Sequence, residues 1–140
     1  MRFMMLVKAN PESEADVLPS PELLAAMGKY NEELINAGVM LAGDGLQSSS
    51  KGARVTFSGG KRTVTDGPFT EAKELIAGYW LIEAKSKEEA VEWASRVPFE
   101  DGEIEIRQVF EDSDFPSLPP DTAEHEPAVR EEPQGKASPA

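Results

Sequence analysis

The sequence predicts an α+β domain in which an antiparallel sheet carries two helices on one face. Three observations predict it. Two amphipathic stretches with clear capping residues read as helices, over 20–38 and 86–97. Five short runs rich in β-branched and aromatic residues read as strands. The two kinds of segment interleave as β-α-β-β-β-α-β, with room for one more small strand after the first helix.

Each element has its own signature. Phe3, Met4, Met5, Leu6 and Val7 form an unbroken apolar run, which predicts a strand over Arg2–Lys8 buried on both faces. A loop containing Asn10-Pro11 and Pro19 follows. Ser20-Pro21-Glu22 starts the first helix with a capping hydroxyl, a proline at the first helical position and an acid in the first turn. Leu23, Met27, Tyr30 and Leu34 recur on one face, and Gly38 stands where a left-handed cap closes a helix. Residues 39–41 read as a short strand before a turn at Gly43-Asp44-Gly45.

Ala53–Ser58 and 61–65 flank Gly59-Gly60, a hairpin signal. The longest strand is expected over 76–84, with Tyr79 and Leu81 on one face and Trp80 and Ile82 on the other. Ser86 and Glu89 have the spacing of a capping box. Ala90, Val91, Ala94 and Val97 supply the second helix's buried stripe, and Pro98 stops it. In the last strand, over 103–110, Ile104, Ile106 and Phe110 face one way and Glu103, Glu105 and Arg107 the other. This succession is that of a ferredoxin-like split βαβ domain. Two helices cover only one side of the sheet, yet two of its strands are apolar on both sides. The simplest cover for the second side is another copy, giving a homodimer with sheets face to face in a dimeric α+β barrel.

Of the 140 residues, 112–140 hold six of the 11 prolines and seven acids against two bases. We expect one domain over 1–111 and a disordered acidic, proline-rich tail over 112–140. The formal charge is −12, and the tail accounts for −5 of it (two bases, seven acids), leaving −7 on the body. An acidic body repels phosphate backbones, which argues against direct nucleic-acid binding. There is no cysteine, and the one histidine, His125, lies in the tail. The body therefore offers neither thiolate nor imidazole chemistry. Only oxygen ligands remain for a metal, and no ligand set is assembled, so neither metal nor cofactor is expected. No apolar run reaches membrane length and no targeting signal is visible, so the expected location is the cytoplasm.

Chemistry concentrates in Asp66-Gly67-Pro68-Phe69-Thr70-Glu71-Ala72-Lys73-Glu74. Pro68 pushes Gly67 toward extended geometry. Asp66 is suited to accept N–H bonds from the turn, and Thr70 to cap a short helical turn. Glu71 and Glu74, three apart, would share a face of that turn, with Lys73 neutralising one of them. A functional reading makes Asp66, Glu71 and Glu74 catalytic carboxylates at a cavity mouth, one raised in pKa by its neighbour to serve as a proton donor. Lys73, Tyr79 and Arg107 would then bind substrate, Tyr79 as a hydrogen-bonding wall and Arg107 as the anchor of a carboxylate or enolate. A structural reading stands beside it: a capped turn, a core tyrosine, and an arginine paired with a neighbouring acid such as Glu105.

The same stretch, from Val64 through Glu74, with Gly78-Tyr79-Trp80-Leu81-Ile82, resembles the DGPF signature of the YCII-related domain family. The segments from Glu33 to Val39, Ala90 to Ala94 and Ile104 to Arg107 resemble the family too, so the match covers roughly residues 1–110. The resemblance implies a dimeric α+β barrel. Relatives in the wider family are small enzymes that use a His–Asp pair, one of them a dehydrochlorinase; without a body histidine, that pair is not carried over. Some DGPF proteins resemble accessory proteins encoded beside extracytoplasmic-function sigma factors, which implies a regulatory context. One departure is Arg107-Gln108, where the family often has Arg-Pro. Two functions follow as expectations. One is a small-molecule-binding protein or cofactor-independent proton-transfer enzyme, lyase-like or isomerase-like, with its pocket at the motif. The other is a noncatalytic dimeric module that touches a regulatory protein.

Overall fold

Antiparallel hydrogen bonding joins four strands of the computed structural model, which describes residues 1–116. In chain order the elements are β1 (Arg2–Lys8), α1 (Pro11–Glu14), α2 (Pro21–Asn36), β2 (Met40–Gly45), β3 (Ala53–Ser58), β4 (Lys61–Asp66), β5 (Ile76–Glu83), α3 (Lys87–Ser95) and β6 (Ile104–Gln108). The main sheet has the order β2-β5-β1-β6, and β3 and β4 form a separate hairpin. The fold is α+β and ferredoxin-like, with the hairpin inserted between the second and third strands of the sheet. Residues 117–140, most of the expected tail, lie outside the described residues. The tail's first residues, Asp112–Asp114, form a 3-10 turn, and Arg2 holds Glu111 beside it with an ion pair of 3.0 Å.

The long elements follow their signatures. Ser20 Oγ accepts the Leu23 N–H at 3.1 Å, and Gly38 takes φ +73 just past the end of α2. Tyr30 and Leu34 are buried. Ser86 Oγ accepts from the Glu89 N–H, and the Glu89 carboxylate accepts from the Lys85 N–H at 2.9 Å, one residue earlier than the box pattern places it. The core is Phe3 and Met5 from β1, Trp80 and Ile82 from β5, Tyr30, Leu34 and Val39 from α2 and its exit, and Ala84, Ala90 and Val97 around α3. It sits between the sheet and the two long helices.

Four expectations need correction. The segment after β1 is not all loop: Asn10 caps a one-turn helix, accepting from the Ser13 N–H while Ser13 Oγ accepts from the Asn10 N–H. Gly43-Asp44-Gly45 is not a turn but the second half of β2, paired with β5. The glycines answer to close packing: a Cβ on Gly43 would come within 2.9 Å of Trp80 Cδ1, and one on Gly78 within 2.9 Å of the Asp44 carbonyl oxygen. Val91 is exposed, because Trp93 and Ala94 turn inward instead. Phe110 lies beyond the end of β6, exposed, with its ring centroid 4.9 Å from that of Phe115.

The strand registers define the sheet's second face. Asp44 pairs with Tyr79, Tyr79 with Leu6, and Leu6 with Glu105. Ala42, Leu81, Met4 and Arg107 form the adjoining row. None of these side chains is fully buried, in contrast to Phe3, Met5, Trp80 and Ile82 on the helix side.

Candidate functional site

The motif's conformation is set by what its backbone touches. β4 ends at Asp66, and the Gly67–Pro68 peptide is cis. The Gly67 N–H donates to the Gly52 carbonyl at 3.0 Å. A Cβ on Gly67 would lie 1.7 Å from the Ser49 carbonyl oxygen, so only glycine fits. The Phe69 N–H donates to Ser49 Oγ at 2.9 Å, and the Arg54 guanidinium stands 3.8 Å from the centre of the Phe69 ring.

Ser49 is gripped in turn. Its N–H and hydroxyl both donate to the Glu14 carboxylate, at 3.0 and 2.5 Å. Ser48, which is buried, donates its N–H and hydroxyl to the two oxygens of Asp16 at 2.9 and 2.8 Å. Asp16 adopts φ +57, a left-handed conformation that aspartate tolerates better than most residues. The Ser48 N–H, then the Ser48 hydroxyl, hold its carboxyl below the usual carboxylate range, with a smaller contribution from Lys51, whose Nζ is 3.5 Å away. The DGPF turn is thus seated on a serine turn clamped by two acids at the end of α1. The sequence reading missed all four of Glu14, Asp16, Ser48 and Ser49. The serine run at 48–50 was its one visible trace, and nothing local ties it to acids 32 and 35 residues away.

The candidate residues fall into two groups. Asp66, Glu71, Lys73 and Glu74 are exposed. Glu71 holds the cap position of the 3-10 turn Ala72–Glu74 without a side-chain cap bond, and Thr70, expected to cap, instead accepts the Ala72 N–H through its carbonyl. The structure does not gather these acids into an enclosed cavity. Tyr79 and Arg107 lie on the open face of the sheet. Tyr79 Oη donates to Asp44 Oδ2 at 2.9 Å. That hydrogen bond first, then burial and the Asp44 charge, raise the phenol's pKa. Asp44 faces Tyr79 because 43–45 is strand rather than the expected turn. Arg107 pairs with Glu105 at 3.3 Å, and Lys8 with the same carboxylate at 3.4 Å, which together hold Glu105 below its ordinary value, Lys8 first.

The open face therefore has an apolar floor of Met4, Leu6, Ala42 and Leu81 between two polar margins. One is the Tyr79–Asp44 pair; the other is Glu105 with Lys8 and Arg107. The margins stand two strands apart, about 10 Å. A neutral phenol bonded to a carboxylate can accept a hydrogen bond at its oxygen and pass its proton along the pair. An open depression of about 330 Å³ lies elsewhere, lined by Val91, Ala94, Val97, Phe99 and Ile104, and none of the candidate residues borders it. Among the described residues, no group of three or more acids could hold a metal ion, and no helix is long and apolar enough to cross a membrane.

The chain's two tyrosines make the pair measurable. Tyr30 donates to the Trp93 carbonyl at 2.7 Å, and burial pushes its phenol up to about 12. Ultraviolet titration should show both phenols less than half ionised at about pH 10, where a free tyrosine is half ionised. Both folded values are raised, so the associated stability is intact below pH 10 and lost as pH climbs through the folded values, toward about 12 for Tyr30. Asp44→Asn should bring one transition down and leave the other; an unchanged curve would show that Asp44 does not hold Tyr79.

Comparison with known proteins agrees with this architecture. The model of the YCII-related domain matches residues 1–113. An uncharacterised protein of Rhizobium meliloti (strain 1021) is 33% identical over 81 residues, covering 58% of this chain. The aligned part spans 62% of that relative's length. With the sheet order, the two long helices and a family match that runs through the whole folded body, the chain belongs to the YCII-related domain family.

Proposed function

We propose that the protein is a cytoplasmic homodimer that binds a small molecule over the open face of its sheet. There it moves a proton on its ligand, in a lyase-like or isomerase-like step, without an organic cofactor. The observation that carries this reading is the Tyr79 Oη–Asp44 Oδ2 hydrogen bond of 2.9 Å beside a half-buried apolar floor. A proton-handling pair on such a surface has no role in holding the core, which lies on the other side of the sheet. Arg107 is exposed and, among the described residues, bonded to an acid on its own strand, so an anionic ligand could take its guanidinium from Glu105. Glu71, Lys73 and Glu74 immediately precede β5 and serve as rim groups, with Asp66 at the end of β4. A second copy set against Met4, Leu6, Ala42 and Leu81 would exclude water from the pair.

A second reading rests on the exposure of Asp66, Glu71 and Glu74, which leaves the motif without an enclosed polar pocket. In it the dimer is a noncatalytic accessory module for a regulatory protein, such as an extracytoplasmic-function sigma factor.

A thermal-shift screen with small carboxylic acids and enolisable carbonyl compounds separates the two. Under the first reading, hits on the parent protein vanish in both Tyr79→Phe and Asp44→Asn while the ligand-free melting temperatures stay close to the parent's. Hits that survive both substitutions would overturn it.

A further inference from the structure

The β3–β4 hairpin stands apart from the rest of the molecule. Among the described residues its strands pair only with each other, and every residue of both is exposed. It is fixed at its base, by the Gly67–Gly52 hydrogen bond and by Arg54 over Phe69. The register sets Val55 opposite Val64 and Phe57 opposite Arg62, so Val55, Phe57 and Val64 share one face. They are 51%, 68% and 66% exposed. An isolated two-stranded hairpin is marginal in water unless one of its faces is covered. A contiguous apolar patch of this kind marks an interaction surface.

Charge indicates what covers it. Between 51 and 65 the chain carries Lys51, Arg54, Lys61 and Arg62 and no acid. The rest of the described chain carries 21 acids against eight bases. The hairpin is thus a cationic, apolar-faced arm on an acidic body. The matching surface, an acidic body, is present on the same chain. The arm's own exposure shows that it does not cover that surface within one molecule. We infer that the hairpin is an intersubunit arm that lays Val55, Phe57 and Val64 against the acidic body of a second copy of this chain. Exchanged around a two-fold axis, each protomer gives one arm and receives one. Opposite charge speeds and orients the encounter, and the apolar face supplies the contact.

This deepens the dimer of the preceding section but involves different residues, so the two can fail separately. The test is sedimentation equilibrium on the full chain at several salt concentrations. The parent should be dimeric at micromolar concentration and dissociate more readily as salt rises. Phe57→Glu combined with Val64→Glu should weaken the dimer by about a hundredfold or more, as loss of a central apolar contact does. Lys61→Glu combined with Arg62→Glu should weaken it less and flatten its salt dependence. Should the glutamate variant misfold, Phe57→Thr with Val64→Thr, which suit an exposed strand, should show the same direction of effect. A dimer unchanged by both apolar variants but broken by Leu81→Glu would overturn the arm and leave the face-to-face sheet standing. A monomeric parent, or an arm that binds nucleic acid or another protein with the dimer intact, would overturn the inference as well.

Discussion

Replacing Gly67 with alanine is expected to lower the melting temperature by roughly 10 °C or more, or to prevent folding altogether. The added Cβ would sit 1.7 Å from the Ser49 carbonyl oxygen and 2.7 Å from its carbon. Both are backbone atoms, so no side-chain rotation relieves the overlap. Either the motif or the serine turn must withdraw. Withdrawal breaks the Phe69–Ser49 hydrogen bond and loosens the grip of Glu14 on Ser49 and of Asp16 on Ser48. Ser48 is buried, and a buried polar group left without a partner costs about 1–3 kcal/mol. With overpacking of about 1–3 kcal/mol added, the total is about 2–6 kcal/mol. A domain of this size loses about 4–8 °C per kcal/mol. Gly45→Ala is the control: nothing lies within 4 Å of the point its new methyl would occupy, and its melting temperature should stay within a few degrees of the parent's. If Gly67→Ala melts as high as Gly45→Ala, the seating of the motif on Ser49 is not what fixes that turn.

Much of the fold was legible because its signals are local. Ser20 and Pro21 start a helix by their own chemistry, Gly38 ends it, and the run from Phe3 to Val7 is apolar whatever surrounds it. β2 was half missed for the opposite reason. A glycine every other residue reads as a turn, and what makes Gly43 a strand residue is the Trp80 ring, 37 positions away in sequence and adjacent in space. That single misreading also hid Asp44, and with it the partner that gives Tyr79 a chemical role. The motif stood out in the sequence by its acids. The structure gives the tightest constraint to Gly67 and Phe69 instead, through backbone contacts that no side-chain pattern records. The open sheet face was visible as two-sided hydrophobicity in β1 and β5, but its cover involves other molecules, and a single chain carries only indirect signs of them.

Trp80 links the core to the candidate site, and Trp80→Ala should cost roughly 3–5 kcal/mol. The indole is 5% exposed, meets Tyr30 edge-on with centroids 5.4 Å apart, and donates its Nε1–H to Asn31 Oδ1 at 2.8 Å. Against a total stability of about 5–15 kcal/mol, that loss is a third or more for most domains. Trp80→Phe keeps much of the packing and forfeits the Asn31 bond, so it should cost less, about 1–2 kcal/mol. The more telling measurement is a cycle with Gly43. Alone, Gly43→Ala places a methyl 2.9 Å from Trp80 Cδ1 and 2.8 Å from Met40 Cε. The methionine can swing away, but the indole is held by Tyr30 and Asn31, so the overlap should cost about 1–3 kcal/mol. Once Trp80 is alanine, the same methyl enters vacated space and its cost should fall close to zero. Denaturant unfolding of the four proteins should therefore show a coupling of about 1–3 kcal/mol, the double variant being more stable than the sum of the single ones predicts. Additive costs would mean that the two residues do not compete for one volume. Coupling, together with a lowered Tyr79 titration in Trp80→Ala, would show that the indole holds Gly43 in the strand and so keeps Asp44 opposite Tyr79.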